Sequence, residues 1–234
     1  MGPGWRYLKT RLIISMIKLV AFDWNGVLIA DAAHAAASVS KVLEHLGKGS
    51  ISVKEYREIF NIPAKHIYLK RGMTEAEVET HAHTIQEMFH ADYELRIAKV
   101  RTRAGARKLL DFLFKRSVEM IVISNHTIEG VNFQKERLGL QKYFSNVFAR
   151  DAKGSWASRS KLERLQKFLG QRSFLPKEIV IIGDSPEEVE VGKHLGLHTI
   201  AITGGFCSAK RLKEARPNYL IHNLTEMIEI INKL

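Results

Sequence analysis

Three short apolar runs in this chain stop at side chains able to do chemistry. Ile17-Lys18-Leu19-Val20-Ala21-Phe22 stops at Asp23, with Asn25 and Gly26 just beyond it. Met120-Ile121-Val122-Ile123 stops at Ser124-Asn125, and Glu178-Ile179-Val180-Ile181-Ile182 stops at Gly183-Asp184. Carboxylates are ligands for hard cations, and hydroxyl and amide groups hydrogen-bond anions. Each residue also has a plainer use, since Asp and Ser commonly open the turn after a strand. What sets the group apart is that each member follows the same kind of segment, so one fold could bring them together.

Those segments are short, rich in β-branched residues and bounded by turn formers, the pattern of parallel strands buried on both faces. A fourth, His198-Thr199-Ile200-Ala201-Ile202, stops at Thr203-Gly204-Gly205. Amphipathic helical stretches lie between them. Residues 105–116 place Ala106, Leu109, Leu110 and Leu113 on one face, and residues 160–169 do the same with Leu162, Leu165 and Phe168. Strands alternating with helices predict right-handed crossovers and an α/β fold with a doubly wound, Rossmann-like parallel sheet. In such sheets ligands bind beyond the carboxyl ends of the strands, where these side chains fall.

Residues 30–101 read differently, as helices alone over about 32–46, 52–60 and 74–89. Ser52-x-x-Glu55 and Thr74-x-x-Glu77 are capping boxes that would start two of them. The predicted organisation is therefore an α/β core of residues 16–29 and 102–234, an all-helical cap of residues 30–101 inserted above the strand ends, and an N-terminal extension of residues 1–15. A cap there would exclude water and contribute substrate contacts.

The formal charge of +11 favours anionic ligands. No known nucleic-acid module or interleaving of aromatic with basic residues accompanies it, so the charge is read as a solvated surface that attracts small anions rather than nucleic acid. No apolar run reaches the ~20 residues needed to span a bilayer. Arg6, Lys9 and Arg11 are unopposed by acids, as in a transit peptide. A start at Met16, which opens directly into the first run, is the preferred reading. The single cysteine, Cys207, fits a reducing compartment and a cytoplasmic protein.

Asp23-Trp24-Asn25-Gly26-Val27-Leu28, Ile121-Val122-Ile123-Ser124-Asn125 and Ile181-Ile182-Gly183-Asp184-Ser185-Pro186-Glu187-Glu188 resemble, in order and placement, motifs of the haloacid dehalogenase-like hydrolases, in the phosphoglycolate phosphatase-like subgroup with a helical cap. The resemblance covers residues 17–29 and 102–234 well, and residues 30–101 loosely. It implies a Mg²⁺-dependent phosphatase or phosphotransferase in which Asp23 attacks phosphorus and forms an aspartyl phosphate. By the same resemblance Ser124 holds a phosphoryl oxygen, Asn125 contacts substrate, and a lone lysine neutralises charge. Lys161 is the choice for that lysine and Lys153 its rival. Asp23, Asp184 and the backbone carbonyl of Asn25 form the implied metal site, with Glu188 binding the metal through water or holding Lys161. Ser185-x-x-Glu188 is also a capping box.

Asn25 departs from the pattern, because phosphatases of the family carry an acid–base Asp there. A carboxamide cannot shuttle a proton, and losing general acid–base help costs about 10²–10⁴-fold in rate. This departure opens two further readings. One is carbon–phosphorus cleavage resembling that of phosphonoacetaldehyde hydrolases, with Lys65 forming a Schiff base; the other is a non-catalytic, phosphate-binding regulatory protein. His81, His83 and His90 do not share a helix face and are read as solvated. Cys207 is read as buried and inert.

Overall fold

The computed structural model describes residues 17–151 and 160–234. The predicted extension of residues 1–15, Met16 and Lys153 lie outside the described residues. In chain order, β1 (Leu19–Phe22) is followed by α1 (Ala32–His45), α2 (Val53–Ile59), α3 (Lys65–Lys70), α4 (Glu75–Thr80) and α5 (Ala82–Ile97). Then come α6 (Ala106–Lys115), β2 (Glu119–Thr127), α7 (Ile128–Arg137), β3 (Asn146–Arg150), α8 (Lys161–Leu169) and β4 (Ile179–Gly183). The chain ends with α9 (Pro186–Leu195), β5 (His198–Ile202), α10 (Ala209–Glu214), β6 (Tyr219–Ile221) and α11 (Glu226–Lys233).

The strands form one parallel sheet in the order β3-β2-β1-β4-β5-β6. β1 lies at its centre and is buried throughout. Its side chains alternate between two cores, as strand geometry requires: Val20 and Phe22 pack on one side, Leu19 and Ala21 on the other. The first core continues into the inserted helices, where Tyr56, Ile67, Ile85 and Tyr93 belong to it.

Six strands replace the four expected. The additional β3 and β6 are edge strands with half-buried residues, which lack the continuous apolar run that marks a central parallel strand. β2 also runs past Ser124 to Thr127, and its register with β3 shifts between Ile123 and Thr127. Such an irregularity re-aims side chains near a site.

Five helices lie between β1 and α6. Lys65–Lys70 forms a helix that the periodicity did not reveal, and the stretch expected as one helix over 74–89 breaks at His81 into α4 and α5. Thr74 and Glu77 make a complete capping box, whereas only the Ser52 half of the other forms, because Glu55 turns to Arg71. The insert leaves and rejoins the core side by side. Arg103 N–H donates to Leu28 O (2.8 Å), Ala30 N–H to Arg101 O (3.4 Å), and Ile29 bridges Thr102. Arg57 of α2 then reaches across to the loop after β5, donating from Nε to Gly205 O and from Nη2 to Gly204 O, each at 2.8 Å.

Gly192 lets α9 lie flat against the sheet. A Cβ there would stand 2.3 Å from Thr199 Cγ2 and 2.7 Å from Ile181 Cγ2. Overpacking of this kind costs about 1–3 kcal/mol. Gly192→Ala is expected to lower stability by that amount in urea titration while leaving ligand binding at the strand ends intact.

Candidate active site

Register gathers the site. Phe22 is paired with Val122 on one side and Ile182 on the other, so Asp23, Ser124 and Asp184 emerge at one edge of adjacent strands. Asp23 N–H extends the ladder by donating to Ile182 O at 3.0 Å. All three side chains are buried, yet they line one cavity together with Asn25, Asn125 and Lys161.

Lys161 sits on the first residue of α8, whose Ser160–Glu163 capping box fixes the helix start. Its side chain is 1% exposed, with Nζ 3.0 Å from Asp23 Oδ2 and 3.6 Å from Glu187 Oε2, and it also donates to Glu188 Oε1. Burial opposes its charge, but the carboxylates of Asp23, Glu188 and Glu187 prevail and raise its pKa above the ordinary lysine range. Glu188 accepts from Ser185 N–H and Oγ through its other oxygen, so it closes the capping box of α9 and holds Lys161 at once.

Asp23 Oδ1 accepts Trp24 N–H at 2.7 Å. Burial outweighs Lys161 and pushes its carboxyl up to about 7. Asp184 is also raised well above the ordinary carboxylate range, by burial first and then by the charges of Asp23 and Glu188, although Phe206 N–H bonds its Oδ2 at 2.6 Å. Gly26 and Gly205 make room for this carboxylate: a Cβ would meet Asp184 Oδ2 at 1.8 Å and 2.0 Å respectively. Asp23, Asp184 and Glu188 can each bring an oxygen within 4.8 Å of the others. A buried, oxygen-only set whose negative charge exceeds that of its one ammonium fits a hard divalent cation.

Ser124 Oγ lies 3.4 Å from Asn25 Oδ1 and accepts His126 N–H at 3.1 Å. Asn125 lines the cavity, but both ends of its amide are engaged, Nδ2 with Glu187 Oε2 (2.7 Å) and Oδ1 with Arg164 Nη2 (3.1 Å). Lys65 is not among the lining residues; its Nζ pairs with Glu75 Oε2 at 2.9 Å. His81 and His83 are exposed as expected. His90 is not solvated: it is half-buried and lines the cavity. Burial pushes the Cys207 thiol up, away from reactivity.

Sequence reasoning missed Asp31 and Tyr93. Asp31 precedes α1 but makes no cap bond to it. Instead its Oδ1 accepts Gly26 N–H at 2.7 Å, and its Oδ2 accepts Asn25 Nδ2 at 2.7 Å as well as the Tyr93 hydroxyl. Asn25 Nδ2 also reaches Tyr93 Oη at 2.8 Å. An acid just ahead of a helix reads as an N-cap, and Tyr93 sits far along α5, so neither carried a local signal. Glu187 and Arg164 were likewise passed over.

A fold of this layout, with carboxylates converging at the central strand ends of a parallel sheet, is a doubly wound α/β core carrying a helical insert. The model of the haloacid dehalogenase-like hydrolases matches residues 20–202, and the chain belongs to that family. The phosphoglycolate phosphatase of Synechococcus elongatus is 21% identical over 218 residues, covering 93% of this chain and 99% of that protein. That of Pseudomonas fluorescens is 25% identical over 217 residues, covering 90% and 78%. In fold the chain resembles a haloacid dehalogenase-like hydrolase from Streptococcus pneumoniae (TM-score 0.73, 16% identity, 92% and 98% coverage). A hydrolase from Pseudomonas syringae is similar to the same degree (0.71, 17%, 93% and 99%). Among the described residues no helix is long and apolar enough to cross a membrane.

The raised carboxyls set a pH dependence. Between the ordinary Asp range and about pH 7 the folded, metal-free protein holds protons that the unfolded chain has released, so its stability falls as pH rises through that window. A cation bound by these carboxylates must displace the protons. Millimolar Mg²⁺ is therefore expected to raise the melting temperature clearly at about pH 8 and hardly at about pH 5.5. Equal shifts at both pH values would place the metal elsewhere.

Proposed function

We propose that the protein is a Mg²⁺-dependent phosphomonoester hydrolase acting on a small phosphorylated substrate, with residues 30–101 as its cap. The observation that carries the reading is Lys161 Nζ at 3.0 Å from Asp23 Oδ2, with Ser124 and Asp184 around the same cavity. The names of the two phosphatase relatives support phosphomonoester chemistry, and the single buried thiol is in keeping with a reducing cytoplasm.

Asp23, Asp184 and the backbone carbonyl of Asn25 would hold the cation, with Glu188 orienting Lys161 beside it. When bound, such an ion neutralises the charge that otherwise opposes attack of a carboxylate on a phosphate. Asp23 then attacks phosphorus, the leaving oxygen departs with the bonding pair, and the phosphoryl group remains on Asp23. Ser124 Oγ and Lys161 hold the phosphoryl oxygens through this transfer. Water next attacks phosphorus, inorganic phosphate leaves and the Asp23 carboxylate is restored.

Asn25 divides these steps unequally. Asp31 and Tyr93 occupy its Nδ2, which fixes the amide and leaves Oδ1 towards Ser124. An acceptor oxygen can align an attacking water, but it gives no proton to a leaving group. The first step therefore favours esters whose leaving oxygen needs none. Lys65, paired with Glu75 away from the cavity lining, gives no support to Schiff-base chemistry.

Hydrolysis of p-nitrophenyl phosphate with Mg²⁺ tests this directly. Wild-type turnover is expected to vanish in Asp23→Asn. Asn25→Asp is expected to raise kcat about 10- to 100-fold, below the full range of general acid catalysis because nitrophenolate leaves unaided. An Asp23→Asn variant as active as the wild type would overturn the reading. Phosphate binding without turnover by the wild type or Asn25→Asp would favour a regulatory protein.

A further inference from the structure

The cavity that begins at Asp23 continues into the insert and has a volume of about 360 Å³. That exceeds the needs of a phosphoryl group and falls within the ~300–1,000 Å³ of pockets for larger small molecules. Its two ends differ in chemistry. The core end carries Asp23, Ser124 and Lys161, whereas the insert end is walled by Tyr56, Phe60, Ile67, Ile85 and Phe89, joined by Phe206 from the core. Tyr56, Phe60 and Phe206 form a continuous aromatic face with ring centroids 5.2–5.9 Å apart.

Among the described residues the insert contributes no lysine or arginine to this lining; Gln86, His90 and tyrosine hydroxyls are its polar groups. Two nearby guanidinium groups are turned to other work. Arg57 donates to the carbonyls of Gly204 and Gly205, and Arg211 to that of Phe60. Burial pushes the Tyr56 and Tyr68 hydroxyls up, so both stay neutral. Among the described residues the cations of the lining, Lys161 and Arg150, both belong to the core, so a carboxylate placed against the insert wall would lose water without gaining a cation from it, which is strongly unfavourable. An apolar body would gain from the same burial.

We propose, building on the hydrolase reading, that the preferred substrate is the phosphomonoester of an apolar, aryl-type alcohol, seated with its phosphoryl group on Lys161 and its body against Tyr56, Phe60 and Phe206. The leaving-group handicap points the same way. Asn25 offers no proton, and a phenol-type oxygen departs more readily than an alkoxide. A short, doubly anionic substrate such as phosphoglycolate would leave the aromatic wall uncovered.

Binding of non-hydrolysable phosphonates to the full chain with Mg²⁺, read by calorimetry, separates this proposal from the question of turnover. From methyl- to hexylphosphonate the affinity is expected to rise about fourfold per methylene until the wall is covered. Phenylphosphonate should bind tighter than methylphosphonate, and carboxymethylphosphonate no tighter than methylphosphonate. Ile62, 37% exposed at the lining, offers a variant that spares the core. Ile62→Lys should weaken hexylphosphonate and strengthen carboxymethylphosphonate. A flat chain-length series, or carboxymethylphosphonate as the tightest ligand of the wild type, would overturn the proposal. A steep series without p-nitrophenyl phosphate turnover would retire the hydrolase reading alone, whereas turnover with a flat series would retire this one.

Discussion

Burying several carboxylates at the ends of adjacent strands is expensive, and the ammonium of Lys161 is what makes it sustainable. A charge taken into the interior without a partner costs several kcal/mol even after the surroundings relax. Here Asp23, Glu187 and Glu188 share one buried cation, and Asp184 is steadied by the backbone N–H of Phe206. Much of the surrounding architecture serves that arrangement. The in-register centre of the sheet sets Asp23 beside the strand carrying Asp184, the capping box of α8 fixes where Lys161 starts, and the capping box of α9 points Glu188 at it. Two glycines, Gly26 and Gly205, let the Asp184 carboxylate into space that any side chain would fill. The carboxyls outnumber that one ammonium, and burial raises those of Asp23 and Asp184, so a cation bound among them would have to displace their protons.

The insert is tied to this centre at polar points rather than through apolar packing alone. Tyr93 of α5 reaches Asp31, and Asp31 holds the amide of Asn25 and the N–H of Gly26. Arg103 clamps the Gly26 carbonyl to the Thr203 carbonyl, and Arg57 binds the loop that presents Gly205. Movement of the helices would therefore disturb the loop bearing Asn25 and the turn that shapes the Asp184 pocket. Position of the insert and geometry of the site are one problem, and buried networks of this kind succeed only when every member is satisfied.

The core was legible in the sequence because its central strands are short apolar runs and each stops at a residue of the candidate site. Asp23, Ser124 and Asp184 could be placed at one edge from that pattern alone, and Lys161 followed once a family resemblance was drawn. β3 and β6 escaped because edge strands need not be uniformly apolar. The break at His81 escaped because apolar spacing continues across it while the backbone does not. Asp31 and Tyr93 escaped for a deeper reason. Their importance lies in a contact spanning 62 positions, and no local periodicity encodes a pairing of that range.

That pairing explains why an amide can stand at position 25 without disorder. Burial raises the Asp31 carboxyl, while Tyr93, Asn25 and Gly26 all donate to it and so favour its ionised form. A second carboxylate at position 25, 2.7 Å from Asp31 Oδ2, would compete with that ionised form, and the two would have to share a proton. The neutral amide avoids the conflict by donating where an acid would repel. Position 25 and position 31 are thus complementary: the same hydrogen bond that removes a proton donor from the leaving group opposes the rise that burial imposes on the Asp31 carboxyl and holds the loop around Gly26. On the proposed phosphatase reading, chemistry at this site would depend on the electrostatics of Lys161 and a bound cation, and on a leaving group able to depart without help, more than on proton transfer.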